Sequence, residues 1–206
     1  MEEQAKHNEK SLNVIYLNYL GSILTENDLK EFKNKLDGVG LELSCFDREG
    51  IAYMSMDKIE LVSYIVIPYP LIIDLINGMA PTAMWDAIKF VTFSVWEKIR
   101  GKTHYKVTSQ TLEEKEDSFV LQVSSEKNTF NMKLKSNVGK KLTQCYLDKA
   151  LDFYKEIKRD DEYKHSCFVE FDTTSNKWVK TDDEVKIRKK LASQNNDANK
   201  ASKLKI

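Results

Sequence analysis

The segment from about Pro81 to Arg100 constrains the fold most, because it has the length of a helix and is apolar around most of its circumference. Five of its polar residues share one narrow stripe at helical spacing, namely Thr82, Asp86, Lys89, Glu97 and Arg100, and Lys98 is the one charged residue off this stripe. The rest of the circumference is mostly apolar and includes Phe90 and Trp96. A helix of this kind must be covered on most sides by other elements or by a partner. Phe93 interrupts the polar stripe, so we expect it to stand among charged residues on the exposed side.

The strands along the chain are mostly bunched in hairpins. Alternating apolar and polar residues predict hairpins over 119–134 and 165–180, and a β-branched run at 61–67 predicts a buried strand. Further long helices are predicted after Thr25 and over 138–158. This order of elements predicts the α+β class, with a mixed or mainly antiparallel sheet built from hairpins and packed by about three helices. One parallel pairing of strands is expected around the first helix.

Local signals are clear near the N-terminus. The strand at 12–19 is apolar on both faces, which predicts a strand covered on both sides. Thr25, followed by Asp28 at the third position, predicts a capped helix start. Gly38 is predicted to end that helix in the left-handed conformation. The run at 111–117 is acidic and predicts a solvated connector.

Composition divides the chain into four parts. Residues 1–10 are predicted to form a polar tail and residues 11–158 the α+β core domain. Residues 159–180 are predicted to form a terminal hairpin packed on the core, and residues 181–206 a basic, flexible tail.

The predicted basic tail carries much of the charge asymmetry. From residue 185 onward, seven basic residues stand against one acidic residue, a net charge of +6. Because the whole chain has a formal net charge of zero, the preceding residues carry −6. The tail is predicted to bind nucleic acid or an anionic surface weakly through Lys186, Arg188, Lys189 and Lys190. It contains no aromatic residue on which bases could stack, and a purely solvating role is the simpler interpretation.

The cysteines, the N-terminal residues and the apolar stretches indicate where in the cell the protein is found. Cys45, Cys145 and Cys167 are odd in number and form no closely spaced pair, which favours reduced thiols and a cytoplasmic protein. The first ten residues are polar and unlike a signal peptide, and no sufficiently long apolar stretch predicts a transmembrane segment.

The sequence contains no pattern that predicts catalysis or a cofactor. It has no glycine-rich phosphate loop and no Gly-x-Ser-x-Gly nucleophile elbow. His165 and Cys167 would share one face of a strand and are the candidates for a metal site, with further ligands such as His104 supplied from elsewhere. The structural interpretation, in which Cys167 belongs to a buried hairpin face, is favoured, so we predict neither catalytic residues nor a metal.

The leading hypothesis is a non-catalytic cytosolic interaction module, of accessory, regulatory or immunity type, that binds a protein partner or itself. Phe93 and Trp96 are the predicted partner contacts, because aromatic residues are common at interface hot spots. A loop that covers Phe93 is the alternative interpretation of that residue. The residues before 185 carry a net charge of −6, which favours association with a basic partner. The alternative functions are a metal-dependent enzyme that uses His165 and Cys167, and a weak nucleic-acid binder that uses the tail.

Overall fold

The computed structural model describes residues 13–21, 23–49, 63–107, 112–116, 118–124, 129–157 and 166–181. These residues form the predicted α+β class. The strands are β1 (Val14–Tyr19), β2 (Glu42–Asp47), β3 (Ser63–Pro68), β4 (Thr103–Val107), β5 (Leu112–Glu116), β6 (Ser118–Ser124), β7 (Thr129–Lys135), β8 (Ser166–Asp172) and β9 (Lys177–Thr181). The helices are α1 (Glu26–Asp37), α2 (Tyr69–Asn77), α3 (Thr82–Ile99) and α4 (Lys140–Ile157). The predicted tail at 1–10, and the predicted basic tail from residue 182 onward, lie outside the described residues.

Seven strands form one mixed sheet in the order β2-β1-β3-β6-β7-β8-β9. The pairs β1–β2, β3–β6 and β7–β8 are parallel, and the other pairs are antiparallel. At least one helix lies in the chain between the two strands of each parallel pair, so the parallel pairing expected around the first helix is confirmed. The strands β8 and β9 extend the sheet, because β8 pairs directly with β7.

The strands β4 and β5 form a separate antiparallel ribbon. The prediction of an acidic connector at 111–117 is therefore wrong for residues 112–116, which are paired in register with residues 103–107. Hydrogen bonds from a neighbouring strand stabilise this segment, and its own composition does not reveal that neighbour.

The core lies between the large sheet and the helices. Alternate residues of the strands are buried in one cluster that also contains residues of all four helices. The strand residues in this cluster include Ile15, Leu17, Leu43, Ile65, Ile67, Phe119, Leu121, Val123, Phe130, Met132, Leu134, Val169 and Trp178. Burial of each large apolar side chain contributes about 1.5–3 kcal/mol. The opposite face of the sheet carries the alternating residues and is not covered by the helices.

Helix α1 begins as predicted. Thr25 Oγ1 accepts a hydrogen bond from the backbone N–H of Asp28 at 3.2 Å, and the backbone N–H of Thr25 donates to the Asp28 carboxylate at 2.9 Å. The helix ends at Gly38 as predicted, but the predicted left-handed conformation there is wrong, because the φ of Gly38 is −60° and Gly40 adopts that conformation instead, with φ of 81°. Coverage of β1 on both faces is also wrong, because Tyr16 is 44% exposed on the face away from the helices.

Helix α3 covers nearly the whole span that its sequence predicts. Among the described residues, no helix combines the length and the hydropathy that crossing a membrane requires. The terminal hairpin is fastened to α4 as well as to β7, because the Trp178 indole N–H donates to the backbone carbonyl of Tyr146 at 2.8 Å.

Candidate functional site

Helix α3 lies between α1 and α4 and keeps its polar stripe on the outer side of the helical layer. Lys98 binds Asp28 of α1 at 2.9 Å, and Lys89 binds Asp148 of α4 at 2.8 Å. These ion pairs link α3 to both neighbours across the surface. The stripe between them is the surface on which the sequence places Phe93.

Phe93 is half-buried and packs against the core cluster. Its ring lies 5.5 Å from the Trp96 ring, centroid to centroid, with 31° between the ring planes. The structure places Trp96 beneath this surface: it is 0% exposed, and its indole N–H donates to the backbone carbonyl of Lys135 at 3.1 Å. Trp96 therefore supports Phe93 and offers no surface of its own to a partner.

Phe90 is the residue of this surface that sequence reasoning misses. The helical pattern places it on the buried part of the circumference, but it is 36% exposed. Its ring meets Phe32 of α1 edge to face at 6.4 Å, and Lys35 Nζ lies 5.6 Å from its centroid. The signal that could have found it is its position three residues before Phe93 and four after Asp86, which places it beside the polar stripe.

A shallow, open groove of about 600 Å³ runs along α1 beside Phe90, which is the residue of α3 in its lining. Phe90 contributes apolar surface, and the rest of the lining is polar: Asn27, Lys30, Glu31, Asn34 and Lys35. An apolar centre with a polar rim is the usual composition of a protein interface. We call the groove, together with Phe90 and Phe93, the α3 surface.

The charges around the α3 surface are stabilised by their partners. The hydrogen bond from the Thr25 backbone, followed by that from Lys98, holds the pKa of Asp28 below its ordinary value. Burial acts to lower the pKa of Lys89, but the hydrogen bonds and charges of Asp148 and Asp86 outweigh it and raise that pKa. The two ion pairs link α3 to α1 and to α4 at the surface, where such pairs contribute at most about 1 kcal/mol each.

Of the three candidate metal ligands, the structure describes the positions of Cys167 and His104 but not that of His165. Cys167 lies on β8 opposite Phe130 of β7, on the face of the sheet that packs against the helices, and its thiol contacts the backbone carbonyl of Phe168 at 3.5 Å. His165 lies outside the described residues, and His104 lies on β4 in the separate ribbon. Within the described part of the chain, no group of three or more His, Cys, Asp or Glu residues could hold a metal ion. The basic residues Lys186, Arg188, Lys189 and Lys190 also lie outside the described residues.

Tyr154 is a buried polar residue near Cys167. Burial, with a smaller contribution from Cys167, raises the pKa of Tyr154 well above its ordinary value. Its hydroxyl has no hydrogen-bond partner among the described residues, as is also true of the Thr92 hydroxyl of α3. Neither residue lines the groove along α1 or a second groove between α4 and the turn before β9, so both hydroxyls bear on stability.

A second groove, of about 400 Å³, lies between α4 and the turn before β9. Its charged residues pair with one another: Lys155 with Asp152 and Lys177 with Glu156, both at 3.4 Å. Mutual pairing leaves little unbalanced charge to attract a ligand.

In comparisons with known proteins, no family model, no curated protein and no solved structure matches this chain.

Proposed function

We propose that this chain is a non-catalytic interaction module that binds a protein partner, or a second copy of itself, through the α3 surface. In this proposal it acts in the cytoplasm as an accessory, regulatory or immunity-type component. The observation that carries the proposal is that Phe90 and Phe93 lie one helical turn apart at the surface, beside a groove with a polar rim.

The support of these two rings makes them suitable anchors. Phe93 packs on Trp96, and Phe90 packs on Phe32, so both rings are held in place before a partner arrives. An anchor that is already ordered loses less conformational entropy on binding, which favours affinity. Rigid aromatic residues in a well-packed setting are the type most often found at hot spots.

The test captures the partner at this surface. A photo-crosslinking amino acid replaces Phe90 in the full-length chain, and the proteins crosslinked in cells of the source organism are identified by mass spectrometry. The purified partner is then titrated against the wild type by isothermal calorimetry. Self-association is measured separately on the chain alone by native mass spectrometry.

Substitutions decide whether the rings matter. Phe90→Ser and Phe93→Ser are each expected to weaken binding at least about ten-fold, because truncation of a hot-spot side chain removes more than about 1.4 kcal/mol. Phe93→Asp is expected to abolish binding, and Phe90→Ser remains informative if that variant does not fold. Phe168→Ser is the matched control, because Phe168 is 41% exposed on the other side of the sheet. Unchanged affinity in both α3 variants, or equal loss in the control, refutes the proposal.

A further inference from the structure

Helix α2 ends in the one Asn-Gly pair of the sequence, Asn77 followed by Gly78. Asn77, Gly78 and Met79 are all exposed to solvent. In such a pair the backbone nitrogen of the glycine can attack the side-chain amide of the asparagine, and the glycine has no Cβ to obstruct the approach. Asparagine is among the thermally labile residues of proteins. The end of α2 therefore combines a labile pair with access to water.

The backbone at Gly78 is held by the last turn of α2. Gly78 adopts the left-handed conformation, with φ of 74°, and open space lies on the side where a Cβ would be. Its N–H is shared between the carbonyls of Asp74 and Leu75, and the bond to Leu75 is 3.3 Å long, beyond the usual range for such bonds. Helix ends fray more readily than helix interiors, so the Gly78 nitrogen is released whenever this turn opens.

Two other exposed asparagines differ from Asn77 in the residue that follows them. Asn34 lies in α1 before Lys35, and Asn176 lies in the turn between β8 and β9 before Lys177. In both cases the following residue carries a Cβ and a long side chain beside the nitrogen that would attack. Asn34 and Asn176 therefore serve as internal comparisons for Asn77, one in a helix and one in a turn.

We propose that Asn77 is a site of spontaneous deamidation, which converts it to aspartate and isoaspartate. The Gly78 nitrogen attacks Cγ of Asn77, so a bond forms between these two atoms and the bond from Cγ to Nδ2 breaks. Nδ2 leaves as ammonia with the proton that the Gly78 nitrogen gives up, and a five-membered succinimide remains. Water then opens this ring. Opening at Cγ gives aspartate, and opening at the main-chain carbonyl gives isoaspartate, whose main chain is longer by one carbon.

Both products are unfavourable at this position. The C-terminal end of a helix carries partial negative charge, so a new carboxylate there is destabilising. Asp74 lies three residues earlier on α2, where like charges repel each other. Isoaspartate also displaces Met79, whose N–H donates to the Asp74 carbonyl at 2.8 Å, because it lengthens the main chain before Gly78. Deamidation thus weakens the connection between α2 and α3 as the protein ages, and it does not depend on the α3 surface.

The test follows deamidation in the folded, full-length protein during prolonged incubation in neutral buffer below its thermal midpoint. Peptide mapping by mass spectrometry measures the conversion of each asparagine, and isoaspartate methyltransferase labels the isoaspartate. Asn77 is expected to convert at least about ten-fold faster than Asn34 and Asn176, which corresponds to a barrier lower by about 1.4 kcal/mol. The rate at Asn77 is expected to rise with pH, because hydroxide removes the Gly78 proton.

Two variants serve as controls. Asn77→Gln is expected to remove the fast reaction, because the glutamine side chain would have to close a larger ring. Asn77→Asp carries the new charge without the longer main chain and is expected to lower the thermal midpoint by about 1–4 °C. The proposal is overturned if Asn77 stays intact in the folded protein, if it converts only after unfolding in urea, or if Asn34 or Asn176 converts as fast.

Discussion

Removal of the Tyr154 hydroxyl is expected to make the protein more stable. Tyr154 lies on α4, is fully buried, and its ring packs edge to face on Phe130 at 5.9 Å and on Phe153 at 5.4 Å. Tyr154→Phe preserves these ring contacts and deletes only the oxygen, which has no hydrogen-bond partner in the described part of the chain. In the unfolded chain, water forms hydrogen bonds with the same hydroxyl, so only the folded state lacks a hydrogen bond to it.

The magnitude follows from the desolvation of one hydroxyl. Burial of a polar group without a hydrogen bond costs about 1–3 kcal/mol in protein mutational data. We expect Tyr154→Phe to raise the free energy of unfolding by about 1–2 kcal/mol, because the small void left by the oxygen offsets part of the gain. For a chain of this length, each kcal/mol raises the thermal midpoint by about 2–4 °C.

The assay is urea unfolding followed by circular dichroism at neutral pH, with the slope against urea compared between variants to confirm that the same surface is exposed. Tyr146→Phe is the matched control, because its ring lies on the same helix and stacks on Phe171 at 4.1 Å. Its hydroxyl is not among the buried, unpaired ones in the described residues, so a change within about 0.5 kcal/mol is expected.

A pH series adds an independent readout. The raised pKa of Tyr154 keeps it protonated in the folded state, while tyrosine in the unfolded chain ionises at about pH 10. Above about pH 10 the unfolded wild type therefore holds fewer protons than the folded one, and the wild type loses stability that the variant keeps. The advantage of Tyr154→Phe should thus be constant from about pH 6 to about pH 9 and should grow above about pH 10. A variant less stable than the wild type by about 1 kcal/mol would refute the reasoning, because the hydroxyl must then be hydrogen-bonded in solution.

Two further predictions concern α3 and α1. Thr92→Val is expected to stabilise the protein by about 1 kcal/mol in the same urea assay, since the Thr92 hydroxyl is buried without a partner among the described residues; Thr92→Ser, which keeps the hydroxyl and loses the methyl group, should instead destabilise it. Asp28→Asn is expected to lower the free energy of unfolding by about 1 kcal/mol at pH 7, because it removes the charge that binds Lys98 and the Thr25 backbone. Folding lowers the pKa of Asp28, so its contribution to stability is present above the pKa of aspartate in the unfolded chain, about 3.9, and is lost as the pH falls through the lower folded value. The wild type and Asp28→Asn should therefore converge in stability below that range, and a difference that stays constant down to about pH 2 would contradict this account.

The parts of the fold that sequence reasoning predicted depend on neighbours within a few residues. The start of α1 follows from Thr25 and Asp28, three positions apart, and the extent of α3 follows from apolar residues at helical spacing. The hairpin of β6 and β7 follows from alternation along each strand. These signals are local, because the hydrogen bonds and packing that they report form within one turn or between adjacent strands.

The candidate sites needed more than local spacing. Phe93 stands out in the sequence because it breaks a polar stripe, but whether a ring beside that stripe is covered depends on how closely α1 approaches α3. That approach leaves Phe90 partly exposed, while Trp96 is covered and bonded to β7. The exposure of Tyr16 escapes sequence reasoning because β1 is apolar on both faces, and nothing in that strand states which side the helices occupy.

The sequence by itself determined most of the elements and their α+β class, and the β4–β5 ribbon is the exception. Hydrophobic periodicity, helix caps and turn residues predict these elements, because each signal depends on residues that are close together in the sequence. Where a segment is apolar on both sides, as β1 is, only the tertiary structure decided which face meets solvent. Exposure is a relation between segments far apart in the chain, so the four helices, by packing on one side of the sheet, left Tyr16 and Phe46 in the open and placed Trp96 in the core.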